Sequence, residues 1–567
     1  MKLTCLSKGC GYHFPPCYII DIVGFRILLD CPLDLSALAI FSPVPAYSVR
    51  KVEEFFDCSC HGSKDSDCGA RKRQKFEKPL DASSLIFAVP WYKTVSNLHL
   101  WDVSFIDVVL VSSAMGMLGL PFLTRSNGFS AKIYATEATR RMGQLMMEDL
   151  LFMHREFKQF YGPADSGFPQ WMKWEDLDKL PSSLQEIISG NNGAELGGWL
   201  PLYSADDVKD CIRKVEPLKY AEETCYGGSL IITAFSSGLD IGTANWVIRS
   251  CKREVACLSS SVFTSSQSMS FDYHALEDCG TLLYSDFSSL NTAEAPEEEI
   301  NHSSINGNDV GSSDESLLNP DENAEEEEKL AFIISHAIES LKAGGSVLIP
   351  IGRIGVIFQL LEQISFSEEF LTLKVPMFFI SSVAEEFLSF ANIIPEWLCM
   401  ERQKKLFAGE PLFAHVDLIK EKRLHVISSI FSPDLLNVWQ EPCIVFAPHW
   451  SLRLGPAVHF LQRWRGDENS LLVLEKGLDA DLALLPFKPL AMKILQCSFL
   501  SGIRLSKVGP LLEKLQPKCV LLPEDLRTAV GIPKAKPFSV IYYSENSTSS
   551  VPSLKRCAKL QISTDVA

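Results

Sequence analysis

The sequence at residues 108–121, VVLVSSAMGMLGLP, is the stretch that decides the fold. Four consecutive aliphatic residues predict a strand, and they run into a loop of small and apolar residues that ends in Leu-Pro. Upstream, residues 27–30, ILLD, form an apolar strand pattern that ends in a carboxylate. Downstream, residues 133–135 predict a strand whose following residue, Thr136, can cap a helix.

Further strand-like runs lie at 230–232, 282–284 and 347–349, with helical patterns between them. Short strands that alternate with helices predict an α/β layered architecture. The chain has 567 residues, which is too many for one hydrophobic core. We therefore expect two or more domains.

The formal net charge of the chain is −17. Strong nucleic-acid binding depends largely on Lys and Arg that neutralise phosphates, so charge gives no support for tight autonomous binding. The amino terminus lacks the apolar core of a signal peptide. No apolar run reaches the roughly 18 residues of a membrane span, so we expect no membrane association.

The chain contains seventeen cysteines, most of them in apolar surroundings. In a large intracellular protein such residues are mostly buried small hydrophobes and not disulfide partners. The tightest group could be a structural zinc knuckle, although a polar insertion that happens to contain cysteines is the favoured interpretation. Its members are Cys58, Cys60, His61 and Cys68.

Two segments depart from globular composition. Residues 58–80 are polar, and residues 294–328 are acidic and rich in Ser and Asn, so both are predicted to be disordered loops. The first segment contains a basic run that is either a nuclear import signal or a plain charged loop. The run comprises Arg71, Lys72, Arg73 and Lys75.

The order of strands and the loop at 112–121 resemble the metallo-β-lactamase fold, and specifically the β-CASP nucleases of RNA processing. In active members of that family the strand runs into Ser-His-x-His-x-Asp-His-x-Gly-x-Leu-Pro. Here the frame of Ser112 and Leu120-Pro121 is kept but is two residues shorter. The three histidine positions hold Ser113, Met115 and Leu118, and the aspartate position holds Met117.

These replacements remove the zinc chemistry that the resemblance would imply. Two zinc ions need imidazole and carboxylate ligands to be held and to lower the pKa of a bound water. A leucine has no lone pair, a serine hydroxyl binds zinc poorly, and a thioether suits softer metals. We therefore predict no catalytic residue, no metal and no cofactor.

The other family motifs show the same losses. Asp30 is retained, and its family role is mainly to orient the metal loop. Arg504 stands beside the general-acid position, where the family has an aspartate. The remaining degenerate positions are Leu239 for the third-motif histidine, Ser261 for the bridging aspartate, Ser285 for an acidic residue, Gly502 for the general-acid histidine, and Pro523-Glu524 within the last motif.

The resemblance implies an αββα sandwich with an inserted β-CASP α/β domain. The expected division is a first lactamase segment at 1–286 and a β-CASP domain at 287–488. A second lactamase segment at 489–545 and a short polar tail at 546–567 would follow.

Several specific strings, including PHWSLRLG at 448–455, resemble the ninth-subunit family of the Integrator complex. The resemblance implies a nuclear scaffold that forms a heterodimer with the active β-CASP nuclease subunit and joins other Integrator subunits. Its roles would be small nuclear RNA 3′-end processing and RNA polymerase II transcript cleavage, with polymerase contact indirect and RNA contact weak. This family continues into a C-terminal pairing domain, whereas the chain ends about forty residues after Leu526.

Three alternatives stay open at this stage. One is an inactive subunit of the pre-mRNA cleavage and polyadenylation machinery. Another is a non-catalytic RNA-binding module, which a Lys/Arg-lined channel would support and an acidic cleft would oppose. The third is an enzyme with a relocated site around Asp30, Asp286 and the cysteine group at 58–68, which requires at least three converging ligands.

Overall fold

The computed structural model describes residues 1–35, 92–95, 102–160, 199–287, 321–449, 451–477, 480–529 and 538–552. The cysteine group at 58–68 and the basic run at 71–75 lie outside the described residues. Most of the described cysteines are buried, and all of them are free thiols, as expected. Within the described ranges, no helix combines the length and apolar character needed to cross a membrane.

Twenty-two strands are present among the described residues. They are β1 (Lys2–Ser7), β2 (Cys17–Ile22), β3 (Phe25–Leu29), β4 (Tyr92–Lys93), β5 (Val108–Val111), β6 (Lys132–Thr136), β7 (Trp199–Leu200), β8 (Val215–Leu218), β9 (Glu223–Tyr226), β10 (Leu230–Ser236), β11 (Ala244–Ser250), β12 (Glu254–Leu258), β13 (Thr281–Tyr284), β14 (Val347–Ile349), β15 (Met377–Ile380), β16 (Leu424–Ile427), β17 (Ile444–Phe446), β18 (Leu471–Glu475), β19 (Lys493–Cys497), β20 (Cys519–Pro523), β21 (Ser539–Tyr543) and β22 (Thr548–Ser550).

The α-helices of the same ranges are α1 (Leu120–Thr124), α2 (Glu137–Phe160), α3 (Ala205–Lys214), α4 (Asp321–Lys342), α5 (Ile354–Phe366), α6 (Glu368–Leu373), α7 (Ala384–Asn392), α8 (Met400–Ala408), α9 (His415–Lys420), α10 (Pro433–Val438), α11 (Pro456–Trp464), α12 (Ala480–Leu484), α13 (Leu505–Leu515) and α14 (Leu526–Ala529). Every strand-like run named from the sequence is a strand. Thr136 caps α2 as predicted, because its Oγ1 accepts from the Thr139 N–H at 3.1 Å.

Two seven-stranded sheets pack face to face. The first has the order β22-β1-β2-β3-β5-β6-β8, and the second has the order β21-β20-β13-β12-β11-β10-β9. The packing of β5 explains its uniformly apolar sequence. Val108 and Leu110 pack in the core between the sheets, whereas Val109 and Val111 pack under the outer helices. A strand that is covered on both faces requires apolar residues throughout.

Helices cover the outer faces of both sheets. Helix α2 packs against β6 and β8 of the first sheet. Helix α13 turns Val508, Leu511, Leu512 and Leu515 onto the second sheet, at the spacing of one helical face. The predicted αββα sandwich is confirmed.

A third sheet of six parallel strands, β16-β15-β17-β14-β18-β19, forms the separate α/β layer. Residues 493–497, which the sequence places in the returning lactamase segment, form β19 and pair with β18. The pairing of β19 with β18 assigns residues 493–497 to the third sheet, where β19 is the edge strand. Composition alone cannot show which sheet a strand joins. We therefore propose that the returning segment starts after Cys497.

The acidic segment at 294–328 is only partly within the described residues. Its last part, 321–328, forms the first two turns of α4, so the prediction of disorder is wrong there. The reason is that these carboxylates find basic partners from a distant part of the chain, which composition cannot reveal.

Candidate functional site

The expected metal region lies where loops at the strand ends of the two facing sheets meet. The Ala244 N–H of the second sheet donates to the Ser112 carbonyl of the first at 2.8 Å. Around this contact is a small cavity of about 30 Å³ whose lining includes Asp30, Ser113, Leu239 and Ser285. The structure thus brings together several of the positions that the sequence singled out.

Asp30 holds the loop that follows β5. Its Oδ1 accepts the Ser112 N–H at 2.7 Å, and its backbone has the left-handed φ of 57°. Gly116 passes so close that a Cβ there would lie 2.2 Å from Asp30 Oδ1. Burial raises the pKa of the Asp30 carboxyl to about 7, and the Ser112 hydrogen bonds only partly oppose this. The carboxyl therefore organises the loop from within.

The three apolar replacements in this loop belong to the hydrophobic core. Met115, Met117 and Leu118 are 3%, 0% and 2% exposed. Met117 packs onto Gly143 of α2, where a Cβ would lie 2.1 Å from its Sδ. Ser113 instead accepts the Gly116 N–H at 3.1 Å and closes the turn. The loop is packed into the protein and presents no ligand set.

Asn245, at the start of β11, organises the facing side of the site. Its Oδ1 accepts the Ser259 N–H at 2.7 Å, and its amide donates to Ser261 Oγ at 3.0 Å. Ser261 donates in turn to the Ser259 carbonyl at 2.9 Å. No sequence pattern singles out Asn245, because a single polar residue in a strand is common.

The side chains of Asp286 and Ser285 form hydrogen bonds with the backbone. Asp286 Oδ2 accepts the Ile503 N–H at 2.7 Å, next to Gly502, and the Ser261 N–H at 3.4 Å. Ser285 Oγ donates to the Leu258 carbonyl at 2.7 Å. These side chains join the ends of β12 and β13 to the returning segment.

Arg504 makes ion pairs with the acidic start of α4. Its guanidinium lies 3.3 Å from Glu322 and also pairs with Glu325, while Lys507 reaches Glu322 at 3.0 Å. Glu326 accepts the Leu500 N–H at 3.0 Å. This acidic-helix clamp joins the third-sheet layer to the sandwich through one buried pair, Glu322 with Lys507, and through the more exposed pair of Arg504 with Glu325.

A second buried charge group joins the same two layers. Glu475, at the end of β18, lies 3.3 Å from Arg353 and 2.8 Å from His13 of the sandwich. Arg353 also donates to the Leu500 carbonyl at 2.8 Å and stacks on Tyr12. Burial alone would raise the pKa of Glu475, but the nearby His13 and Arg353 outweigh it and lower that pKa.

Pro523 and Glu524 do not converge on this region. Pro523 is buried in β20, whereas Glu524 is exposed and pairs with Arg527 at 2.7 Å. Leu239 lies partly exposed between the small cavity and a wider cleft. Among the residues that the structure describes, no three His, Cys, Asp or Glu side chains are grouped to hold a metal ion.

The donor chemistry of the region does not fit zinc. Its polar groups are hydroxyls, one amide, the Cys257 thiol and two carboxyls that accept backbone N–H groups. No imidazole of the described residues joins them, whereas the catalytic zinc sites of this fold need imidazole together with carboxylate ligands. The relocated-site hypothesis also loses support, because Asp30 and Asp286 both serve the backbone.

The wider cleft, of about 470 Å³, is acidic. Its ionisable lining side chains include Asp240, Glu326, Glu327 and Glu401, together with Arg353, which is already paired with Glu475. Phosphate binding requires uncommitted cations, so this cleft opposes an RNA path through it.

Comparison with known proteins places these features in a family. Residues 90–260 match the metallo-beta-lactamase superfamily domain, and residues 356–476 match the Beta-Casp domain. An Integrator complex subunit 9 homolog from Nematostella vectensis is 32% identical, with 92% of this chain and 72% of that protein covered. Integrator complex subunit 9 of Homo sapiens is 30% identical over the same shares. Integrator complex subunit 11 of Danio rerio is 19% identical, over 65% of this chain and 49% of that protein.

Proposed function

Because the chain belongs to the Integrator complex subunit 9 family, we propose that it is a non-catalytic scaffold subunit of an Integrator complex. In that role it pairs with the active β-CASP nuclease subunit and supports RNA 3′-end cleavage in the nucleus. The observation that carries the proposal is the state of the expected metal region. Asp30, Asn245 and Asp286 are committed to internal hydrogen bonds, and the loop at 115–118 is core.

The scaffold role is supported by how firmly the two layers are joined. The acidic-helix clamp and the Glu475 group both connect the layers and both bond to the backbone of Leu500. Glu326 of the clamp accepts the Leu500 N–H, and Arg353 of the Glu475 group donates to the Leu500 carbonyl. Breaking one partner of a buried charge pair leaves an uncompensated charge, so both groups disfavour separation of the layers.

The alternative of an RNA-binding module receives no support from the acidic cleft. The alternative membership, in the pre-mRNA cleavage and polyadenylation machinery, is less well supported than Integrator by the relatives found. Nuclear placement is part of the proposal and rests on the proposed complex; a nuclear import signal is one of the two interpretations of the basic run at 71–75.

The test is a cleavage assay on the co-expressed pair of this chain and the β-CASP nuclease subunit of the same source, purified through a tag on this chain. We expect the pair to cleave a small nuclear RNA 3′-end precursor. Substitution of a metal ligand in the partner should abolish cleavage, whereas Asp286→Asn in this chain, which keeps an acceptor for Ile503, should leave it unchanged. Failure to co-purify, or loss of cleavage through Asp286→Asn in an intact pair, would overturn the proposal.

A further inference from the structure

A second cavity, of about 90 Å³, lies between the altered loop at 113–118 and the third-sheet layer. Its walls are largely apolar and unusually rich in methionine. Met115 comes from the loop and three more come from α2, while Phe387 faces them from the other layer; the α2 residues are Met142, Met146 and Met153. Methionine side chains are flexible and polarizable, so they adapt to the shape of a bound group and make favourable contacts with aromatic rings.

His449 lines this cavity and carries a buried hydrogen-bond donor that no described residue uses. It is 6% exposed, and its Nδ1 accepts the Ser451 N–H at 3.4 Å and lies 2.9 Å from the Ser451 hydroxyl. An imidazole whose Nδ1 accepts carries its proton on Nε2. Burial lowers the pKa of His449 to about 3, so the ring is neutral. Its Nε2 has no hydrogen-bond partner among the described residues.

The other polar groups of the cavity limit the charge of a ligand. Asp149 accepts both the N–H and the hydroxyl of Ser382, at 3.0 and 2.6 Å, and Asp240 is hydrogen-bonded to Tyr12. Two nearby carboxyls disfavour an anion, whereas the buried N–H of His449 disfavours a cation. The unsatisfied group is one donor, and it requires one acceptor.

We propose that this cavity is a binding site for a small uncharged molecule with an apolar, preferably aromatic, body and one hydrogen-bond acceptor that receives the His449 Nε2–H. Pockets that bind small molecules are typically apolar with a few placed polar groups, and this cavity has that composition. The site is built from the loop that would otherwise hold metal, so the same replacements that remove zinc chemistry create its wall. It does not depend on the proposed Integrator role.

The test compares two probes of nearly equal shape on the full chain, acetophenone and α-methylstyrene, which lacks the carbonyl acceptor. Binding is followed by methyl NMR on protein labelled at the methionine ε-methyl groups. We expect acetophenone to shift the signals of the four cavity methionines and to leave Met377, in the core of the third sheet, unchanged. Acetophenone should bind about five- to tenfold more tightly than α-methylstyrene, the worth of one hydrogen bond.

The variant His449→Phe keeps a ring of similar size and removes the donor. We expect it to bring the affinity ratio of the two probes to about one. Equal affinities in the wild type, a ratio that survives in the variant, or no shift of the cavity methionines with either probe would each overturn the proposal. The wild-type comparison decides the matter even where the variant folds poorly.

Discussion

Asp30 should make the folded protein less stable as pH rises, and replacement of Asp30 by asparagine should remove this dependence. A carboxylate that binds a metal would show the opposite trend, with stability lost as pH falls. In the folded protein the pKa of Asp30 is raised to about 7 by burial, whereas an unfolded aspartate titrates near 3.9. The folded state therefore holds a proton that the unfolded state has lost. The resulting stability is fully present below pH 3.9 and is lost as pH rises through 7.

The size of the effect follows from the same shift. Between pH 5 and pH 8 the folded carboxyl loses its proton while the unfolded one is already ionised, which lowers the free energy of unfolding by about 3 kcal/mol. Asparagine can still accept the Ser112 N–H but does not titrate. We therefore expect the free energy of unfolding of Asp30→Asn, relative to the wild type, to rise by about 3 kcal/mol from pH 5 to pH 8.

The assay is urea unfolding of the wild type and the variant at both pH values, so that other titrating groups cancel in the difference. Asp30→Ala is the matched control, because it also removes the acceptor and should cost about 1–3 kcal/mol for the unpaired Ser112 N–H. A relative stability of Asp30→Asn that does not change with pH would refute the reasoning. If Asp30→Asn were instead less stable, relative to the wild type, at pH 8 than at pH 5, the charged form of Asp30 would be the stabilising one, which is the behaviour of an aspartate that has a cation as its neighbour.

Three further predictions concern the same region. Gly116→Ala should destabilise the chain by about 2 kcal/mol through overlap with Asp30 Oδ1, whereas Gly466→Ala, with open space around it, should not; thermal unfolding distinguishes them. In a double-mutant cycle of Glu322→Gln and Lys507→Gln, denaturant unfolding should give a coupling of about 1–2 kcal/mol, and a coupling near zero would contradict the clamp. Returning the family ligands should not create a zinc site, because the loop is two residues short and its side chains are core. The combined substitutions should lower the free energy of unfolding by about 3 kcal/mol or more. Denaturant unfolding measures this loss, and the zinc content of the purified variant shows whether a site has formed. The substitutions are S113H, M115H, M117D and L118H.

The fold was predictable because its strands carry strong apolar signals. Residues 108–111 are apolar throughout because both faces of β5 are covered, and Thr136 caps α2 through a local contact that sequence spacing reveals. The start of α4 was not predictable in the same way. Glu325 pairs with Arg504 across 179 positions of sequence, and a run of carboxylates without known partners is typical of disorder.

The site was predictable in what it lacks more than in what it contains. The identities of Ser113, Met115 and Leu118 suffice to exclude a zinc ligand set. The hydrogen bonds of Asn245 were not foreseeable, because they depend on the register of β11 against β12. The same holds for the free Nε2 of His449, which depends on a turn to Ser451 and on the surrounding packing.

The most direct test of the central claim is the zinc content of this chain, purified in complex with its β-CASP nuclease partner and then separated from it. Cys58, Cys60 and Cys68 are replaced by serine in a parallel preparation, so that any structural zinc held by that cysteine group is distinguished from zinc in the expected catalytic region. We expect the cysteine-substituted chain to carry no zinc, with the metal confined to the partner. Zinc that remains on the substituted chain and disappears with Asp30→Asn or Asp286→Asn would contradict the account.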